Sequence, residues 1–164
     1  MRKPVIAAVH GVAVANGAGL VAASDLAIAT EGARFGLTAI DVGLFCMGPA
    51  VPMDRCVGKK HSLELLLTGD LIDAQKAERI GLVNSVVPED NPMDAAMALA
   101  KKLAAKSPLA LQMGKESYYT MADMPLEKAL QYSNEMFSEL CTLKDAEEGI
   151  RAFLEKRPPK WRLE

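Results

Sequence analysis

The chain has 164 residues, enough to build one hydrophobic core without disulfides or a structural metal, and that length demands no second domain. Half of the residues are hydrophobic but only 5% are aromatic, so the apolar content is Ala, Val, Leu, Ile and Met, suited to packing helices on strands and unsuited to stacking on bases. A formal net charge of −2 with mixed signs along the chain excludes the clustered cationic field that gathers nucleic acid or an anionic membrane.

In chain order, Met1-Arg2-Lys3 and the uncharged run up to Asp25 imitate a secretory leader with a small-residue cleavage site at VAAS. Pro4, His10, Asn16 and three glycines interrupt that run, and its only leucine is Leu20, so it reads as part of the fold instead. Pro4–Val9 (PVIAAV) has the length and branching of a buried strand, HGVAVANG is turn-rich, and Gly17–Ser24 suits a short buried helix. Asp25–Thr30 alternates as a strand and Ala33–Leu37 is a short extended piece, which together give a layered α/β core.

From Met47 the pattern turns helical, with Pro49 and Pro52 expected only in the first turns of any helix there. Lys59–Thr68 carries leucines on one face and closes at Gly69. Asp73 caps a short helix through Ile80, Gly81 supplies a left-handed stop, and a last strand, Leu82–Val87, ends at Pro88. Four helices follow. Asn91-Pro92 starts the first, with Met93, Met97, Leu99 and Leu103 apolar. Ser107 caps the second, to about Tyr119. The third begins near Pro125 with Leu126, Ala129, Leu130, Phe137 and Leu140 on one stripe, and the fourth spans Lys144 to Arg157 before Pro158-Pro159. The expected boundary lies near Asp90, dividing residues 1–90, the α/β core, from a helical region, 91–164, as two layers of one fold.

The candidate chemistry lies near the start. A strand that turns through Ala15-Asn16-Gly17-Ala18-Gly19 into a helix leaves backbone N–H groups free to face a developing negative charge. The same small residues also serve simply to bring a helix close to a sheet. Asp41 is the only carboxylate in the loop after Phe35, and it reads either as an acid-base group or as a solvated turn residue. His10 and His61 are isolated, and no residues have the spacing of metal ligands, so no metal is expected. Cys46, Cys56 and Cys141 read as small buried apolar residues in a reducing compartment.

Four blocks in order, PVIAAVHGVAVANGAGLVAASD, ARFGLTAIDVGL, VGKKHSLELLLTGDLIDAQKAERIGLVNSVVP and DAEEGIRAFLEKRPPKW, resemble the enoyl-CoA hydratase/isomerase family, also called the crotonase family. Within it, the Ala-rich turn and VGLFC are most similar to the divergent branch of enoyl-CoA hydratase domain-containing protein three. The resemblance implies a spiral of strand-strand-helix units with a C-terminal helical layer that assembles trimers, often paired into hexamers. It implies an acyl-CoA substrate, with coenzyme A as part of the substrate and no separate cofactor, and a thioester oxygen held between two backbone N–H groups. The Asn16 N–H matches one of those donors, with Gly17 beside it in the substrate site; Phe153 and Lys156 match positions that contact the CoA of a neighbouring subunit.

Typical hydratases flank the added water with two glutamates, one activating it and one supplying a proton. Those positions fall on Gly19 and Ala39. The resemblance therefore implies oxyanion stabilisation without the usual proton machinery, leaving Asp41 as the local stand-in acid. Open alternatives are an inactive acyl-CoA-binding or assembly module, or acids supplied from outside this chain. Family chains also carry a stretch before PVIAAV that holds the first strands, the other oxyanion donor and most of the CoA loop, so the chain is expected to begin part-way through the fold. A cytoplasmic location, or the mitochondrial matrix in a eukaryote, goes with that reading.

Overall fold

A computed structural model describes residues 1–88 and 91–162. The chain divides into two compact units, Val5–Ala100 and a second formed by Met1–Pro4 with Lys101–Glu164. The boundary expected near Asp90 lies outside the described residues.

The first unit contains β1 (Ile6–Val9), β2 (Val12–Val14), α1 (Asn16–Ala23), β3 (Leu26–Thr30), β4 (Arg34–Gly36), a 3₁₀ turn (Thr38–Val42), α2 (Met47–Val57), α3 (Lys59–Thr68), β5 (Ile72–Asp73), α4 (Ala74–Arg79) and β6 (Ser85–Val87). The division between units falls within α5 (Pro92–Ala104). One sheet is parallel throughout, in the order β1-β3-β6, with Ile6 opposite Leu26 and Ile28 opposite Ser85. In the other, β2 runs parallel to β4 and β5 closes antiparallel on it. β3 is buried from Ala27 to Thr30, as a central parallel strand must be when both of its faces are covered. Asp25 pins its entry: the carboxylate accepts from the Val5 N–H at 2.6 Å while the Val5 carbonyl accepts from the Asp25 and Leu26 N–H groups at 3.1 Å. Asn84 extends the pairing with β3, accepting from the Ala27 N–H through its side chain and donating to the Ala27 carbonyl through its backbone, both at 2.8 Å.

Phe35, Leu37 and Met53 are fully buried in one apolar cluster that runs from Val9 to Val83. Gly69 and Gly81 adopt φ of 72° and 86°, the left-handed stops expected for α3 and α4. Asp73 caps α4 by accepting from the Lys76 N–H at 2.6 Å.

Several expectations need correction. Val12–Val14 is a strand, not turn, because its branched residues find a partner in β4. Pro52 lies inside α2 and not in its first turn; the bond it forfeits belongs to the carbonyl of Gly48, an exposed residue that water can serve. The last strand is shorter than Leu82–Val87, because the Leu82 and Val83 N–H groups complete the α4 terminus on the Ala77 carbonyl and fill the core from a turn. Of the cysteines only Cys46 is buried; Cys56 is half-buried, with its thiol pKa raised by that burial, and Cys141 is exposed.

The second unit holds α6 (Pro108–Met121), α7 (Leu126–Cys141) and α8 (Lys144–Leu154). Ser107 caps α6 by accepting from the Ala110 N–H at 3.1 Å, with Pro108 in the first turn. The Ser107 hydroxyl also donates at 2.6 Å to Asp145, a buried carboxylate whose other oxygen accepts from the Arg162 N–H at 2.6 Å. Trp161 donates through Nε1 to the Ala105 carbonyl at 2.9 Å, and its ring lies against Gly149. Glu148 takes two bonds from Arg157, at 2.6 and 2.9 Å, and one from the Lys160 N–H at 2.8 Å. The Arg157 guanidinium and the Lys160 N–H hold its carboxyl at about 2. α8 stops at Leu154, three residues before the expected Arg157, because Lys156 turns left-handed at φ 53°.

Candidate functional site

The site is built around the turn from β2 into α1. Ala15, the residue before the helix, has φ 48° and ψ −116°, a region where the Cβ of an L-residue crowds the backbone. Two bonds fix it: its N–H donates to the Gly36 carbonyl at 2.9 Å, and its carbonyl accepts from the Gly19 N–H at 3.0 Å. The unusual ψ sets the plane of the following peptide, whose N–H belongs to Asn16.

Asn16 is the first residue of α1, no side chain caps that helix and its first turn holds no acid. The opening N–H groups of a helix have no acceptor within it, and the helix dipole adds a partial positive charge at the same end. Gly17 is half-buried with room beside it, since a Cβ there would meet only the Ala13 Cβ, at 3.9 Å. Gly19 has no such room. A Cβ built on it would stand 3.0 Å from the Pro49 Cβ, 3.1 Å from its Cα and 3.3 Å from its Cγ.

The Ala15–Gly36 bond ties this turn to the end of β4, which leads into the 3₁₀ turn bearing Ala39 and Asp41. Ala39 is half-buried and Asp41 exposed. The Asp41 carboxylate lies over Gly69 at the end of α3: a Cβ on Gly69 would come within 2.8 and 2.9 Å of its two oxygens. Asn16, Gly17, Gly19, Ala39 and Asp41 thus share the α/β unit.

Phe153 and Lys156 belong to the helical unit, at the end of α8. Phe153 is 82% exposed. Lys156 stands where helices usually carry glycine: its N–H donates to the Phe153 carbonyl at 3.2 Å and the Arg157 N–H to the Ala152 carbonyl at 3.0 Å, the paired bonds of a left-handed helix stop.

Two residues escape a reading of the sequence alone. Ala15 carries no side-chain chemistry, and its strain is visible only in its torsions. Pro49 lies 30 positions from Gly19 in the chain, and no local pattern announces their contact. Among the described residues no group of three or more His, Cys, Asp or Glu could hold a metal ion, and no helix is long and apolar enough to cross a membrane.

A family description, enoyl-CoA hydratase/isomerase, matches residues 1–164. The chain belongs to the enoyl-CoA hydratase/isomerase family. It is 41% identical over 158 residues to the mitochondrial enoyl-CoA hydratase domain-containing protein 3 of Rattus norvegicus, covering 96% of this chain and 53% of that protein. It is 39% identical over 161 residues to the 2,3-dehydroadipyl-CoA hydratase of Escherichia coli K12, covering 98% and 63%. The crystal structure of an enoyl-CoA hydratase from Mycobacterium smegmatis superposes with a TM-score of 0.94 at 42% identity, covering 98% of this chain and 62% of that one. The crotonase fold is therefore shared, and the chain spans about half the length of the mitochondrial relative.

Proposed function

We propose that this chain forms the part of an acyl-CoA-handling protein that holds the thioester oxygen, with the Asn16 N–H as donor and Gly17 leaving space for the acyl group beside it. The reaction served is one of enolate or oxyanion stabilisation, such as thioester hydrolysis, decarboxylation or double-bond migration, and not hydration assisted by glutamates at 19 and 39. The observation that carries this reading is the backbone of Ala15. Such a conformation costs about 1–3 kcal/mol and persists where its surroundings enforce it; here it directly precedes Asn16, the first residue of a helix with no side-chain cap. The Escherichia coli relative is named for a CoA thioester, which supports acyl-CoA as the substrate class, with no separate cofactor. Asp41, the carboxylate of the 3₁₀ turn, is the proposed acid-base group.

The test is Asn16→Pro in the natural gene product. Proline is accommodated at the first position of a helix but crowds a preceding residue held at ψ −116°, so the variant is read in protein whose circular dichroism and Tm match the parent, where the change deletes the donor and keeps the helix. Turnover of a reactive acyl-CoA falls by about 10²–10³-fold, the loss that goes with one oxyanion donor, while binding persists; unchanged turnover refutes the donor. Asp41→Ala abolishes turnover and keeps binding, and unchanged turnover removes Asp41 from the mechanism.

A second reading, an inactive acyl-CoA-binding or assembly module, is favoured by the stripe on α7, where Leu126, Leu130 and Phe137 are exposed. On that reading the stripe joins copies into trimers or paired trimers, Phe153 and Lys156 reach the CoA of a neighbour, and saturable acyl-CoA binding occurs with no turnover across an acyl-CoA panel.

A further inference from the structure

The close approach of Gly19 and Pro49 bears on what the site admits. Gly19 is the fourth residue of α1 and is buried, as is Pro49, the third residue of α2. A helical side chain leans toward the N-terminus and covers the preceding turn. From position 19 it would lie over the Asn16 end of α1, beside the N–H groups read above as the oxyanion donors. The first atom of such a side chain meets Pro49 at 3.0 Å, and 3.1 Å from the Cα means that it meets backbone as well as ring. Contacts of 3.0–3.3 Å require the neighbour to give by a few tenths of an ångström; a flexible side chain does so by turning away, whereas a proline ring in a packed helix does so only by a small shift of α2.

We propose that Pro49 is a specificity-determining residue: packed on the Cα of Gly19, it occupies the path of any side chain at that position, keeps an acid from the oxyanion donors and so closes the site to glutamate-assisted hydration. Gly19 and Pro49 act as a pair. The wall they form is apolar, and the acyl-CoA reactions left to the site are those that need no carboxylate there. This inference rests on the reading of the Asn16 N–H as a thioester donor, but its steric half stands on its own.

The experiment is a double-mutant cycle in the natural gene product, read first by thermal unfolding without ligand. Gly19→Ala in the parent protein lowers Tm by several degrees, because the added methyl strikes Pro49. In a Pro49→Gly background the same change raises Tm by a few degrees, as alanine does when it replaces glycine in an open helix. A rise of equal size in both backgrounds overturns the proposal. The second readout is hydration of a short trans-2-enoyl-CoA by Gly19→Glu/Ala39→Glu with and without Pro49→Gly. Hydration only when Pro49 is replaced supports the pairing, and hydration with Pro49 in place overturns it. If neither variant hydrates while Tm reverses its sign, the steric role of Pro49 holds and the donor reading of Asn16 is the part that fails.

Discussion

The two units differ in what they bury. The α/β unit has a large apolar core: Phe35, Leu37 and Met53 are fully buried, and small residues such as Ala18, Ala74 and Ala77 let helices approach strands closely, while Leu20, Val42, Leu44 and Met47 stay exposed. In the helical unit the residues that reach burial are polar or small, namely Ser107, Ser117, Asp145 and Ala152, while Leu126, Leu130 and Phe137 of α7 and Ile150, Phe153 and Leu154 of α8 are exposed. One unit is held by a core, the other by caps, an internal carboxylate and a pinned tail. An apolar stripe in sequence therefore reports that a face seeks a partner, without saying whether the partner belongs to the same unit.

Paired phenylalanine truncations break or sharpen that contrast most strongly. Phe35→Ala removes a fully buried ring and costs about 3–5 kcal/mol in chemical denaturation. Phe137→Ala, at a position 66% exposed, stays within about 0.5 kcal/mol for an isolated copy; a large concentration-dependent loss would instead place that ring in an interface.

Acid titration of the tail comes next. Glu148 has its carboxyl lowered from the ordinary 4.5 to about 2 by the Arg157 guanidinium and the Lys160 N–H. A depressed carboxylate contributes stability that is present above the unfolded value and is lost as pH falls through the folded one. Trp161, the chain's only tryptophan, reports the event: its emission changes between about pH 4.5 and 2, and Glu148→Gln removes the pH dependence of that step. An identical profile in the variant would assign the transition to another group.

The smallest effect has the opposite sign. Lys156→Gly relieves a left-handed residue and raises stability by about 0.5–1 kcal/mol, allowing for the freer unfolded chain. If it also weakens acyl-CoA binding, the strained lysine is retained for its side chain.

Much of the α/β unit was legible because its signals are local. Asp73, Gly69 and Gly81 mark helix ends by their own chemistry, and DLAIAT reads as a strand without reference to its neighbours, although its alternation does not announce that Ala27 to Thr30 are all buried. β5 was not legible, since two residues, Ile72 and Asp73, pair with β4 only because the fold brings them there. α8 ends three residues before the Arg157 that the sequence predicts for a related reason: nothing in KRPP identifies a lysine as the left-handed residue. At the site, the turn through Asn16 and Gly17 could be located from its small residues. The torsions of Ala15, the Pro49 ring against Gly19 and the seat of Asp41 on Gly69 are products of packing between segments distant in sequence.

The most direct test of the central claim is the carbonyl stretch of a carbonyl-labelled acyl-CoA thioester bound to the natural gene product, measured by isotope-edited infrared difference spectroscopy. A donor aimed at the thioester oxygen weakens the C=O bond. The stretch is expected to shift to lower frequency on binding and to recover most of its free value in Asn16→Pro, with the ligand still bound. A bound carbonyl that absorbs at its free frequency, or a shift that Asn16→Pro leaves intact, would contradict the assignment of Asn16 as the oxyanion donor.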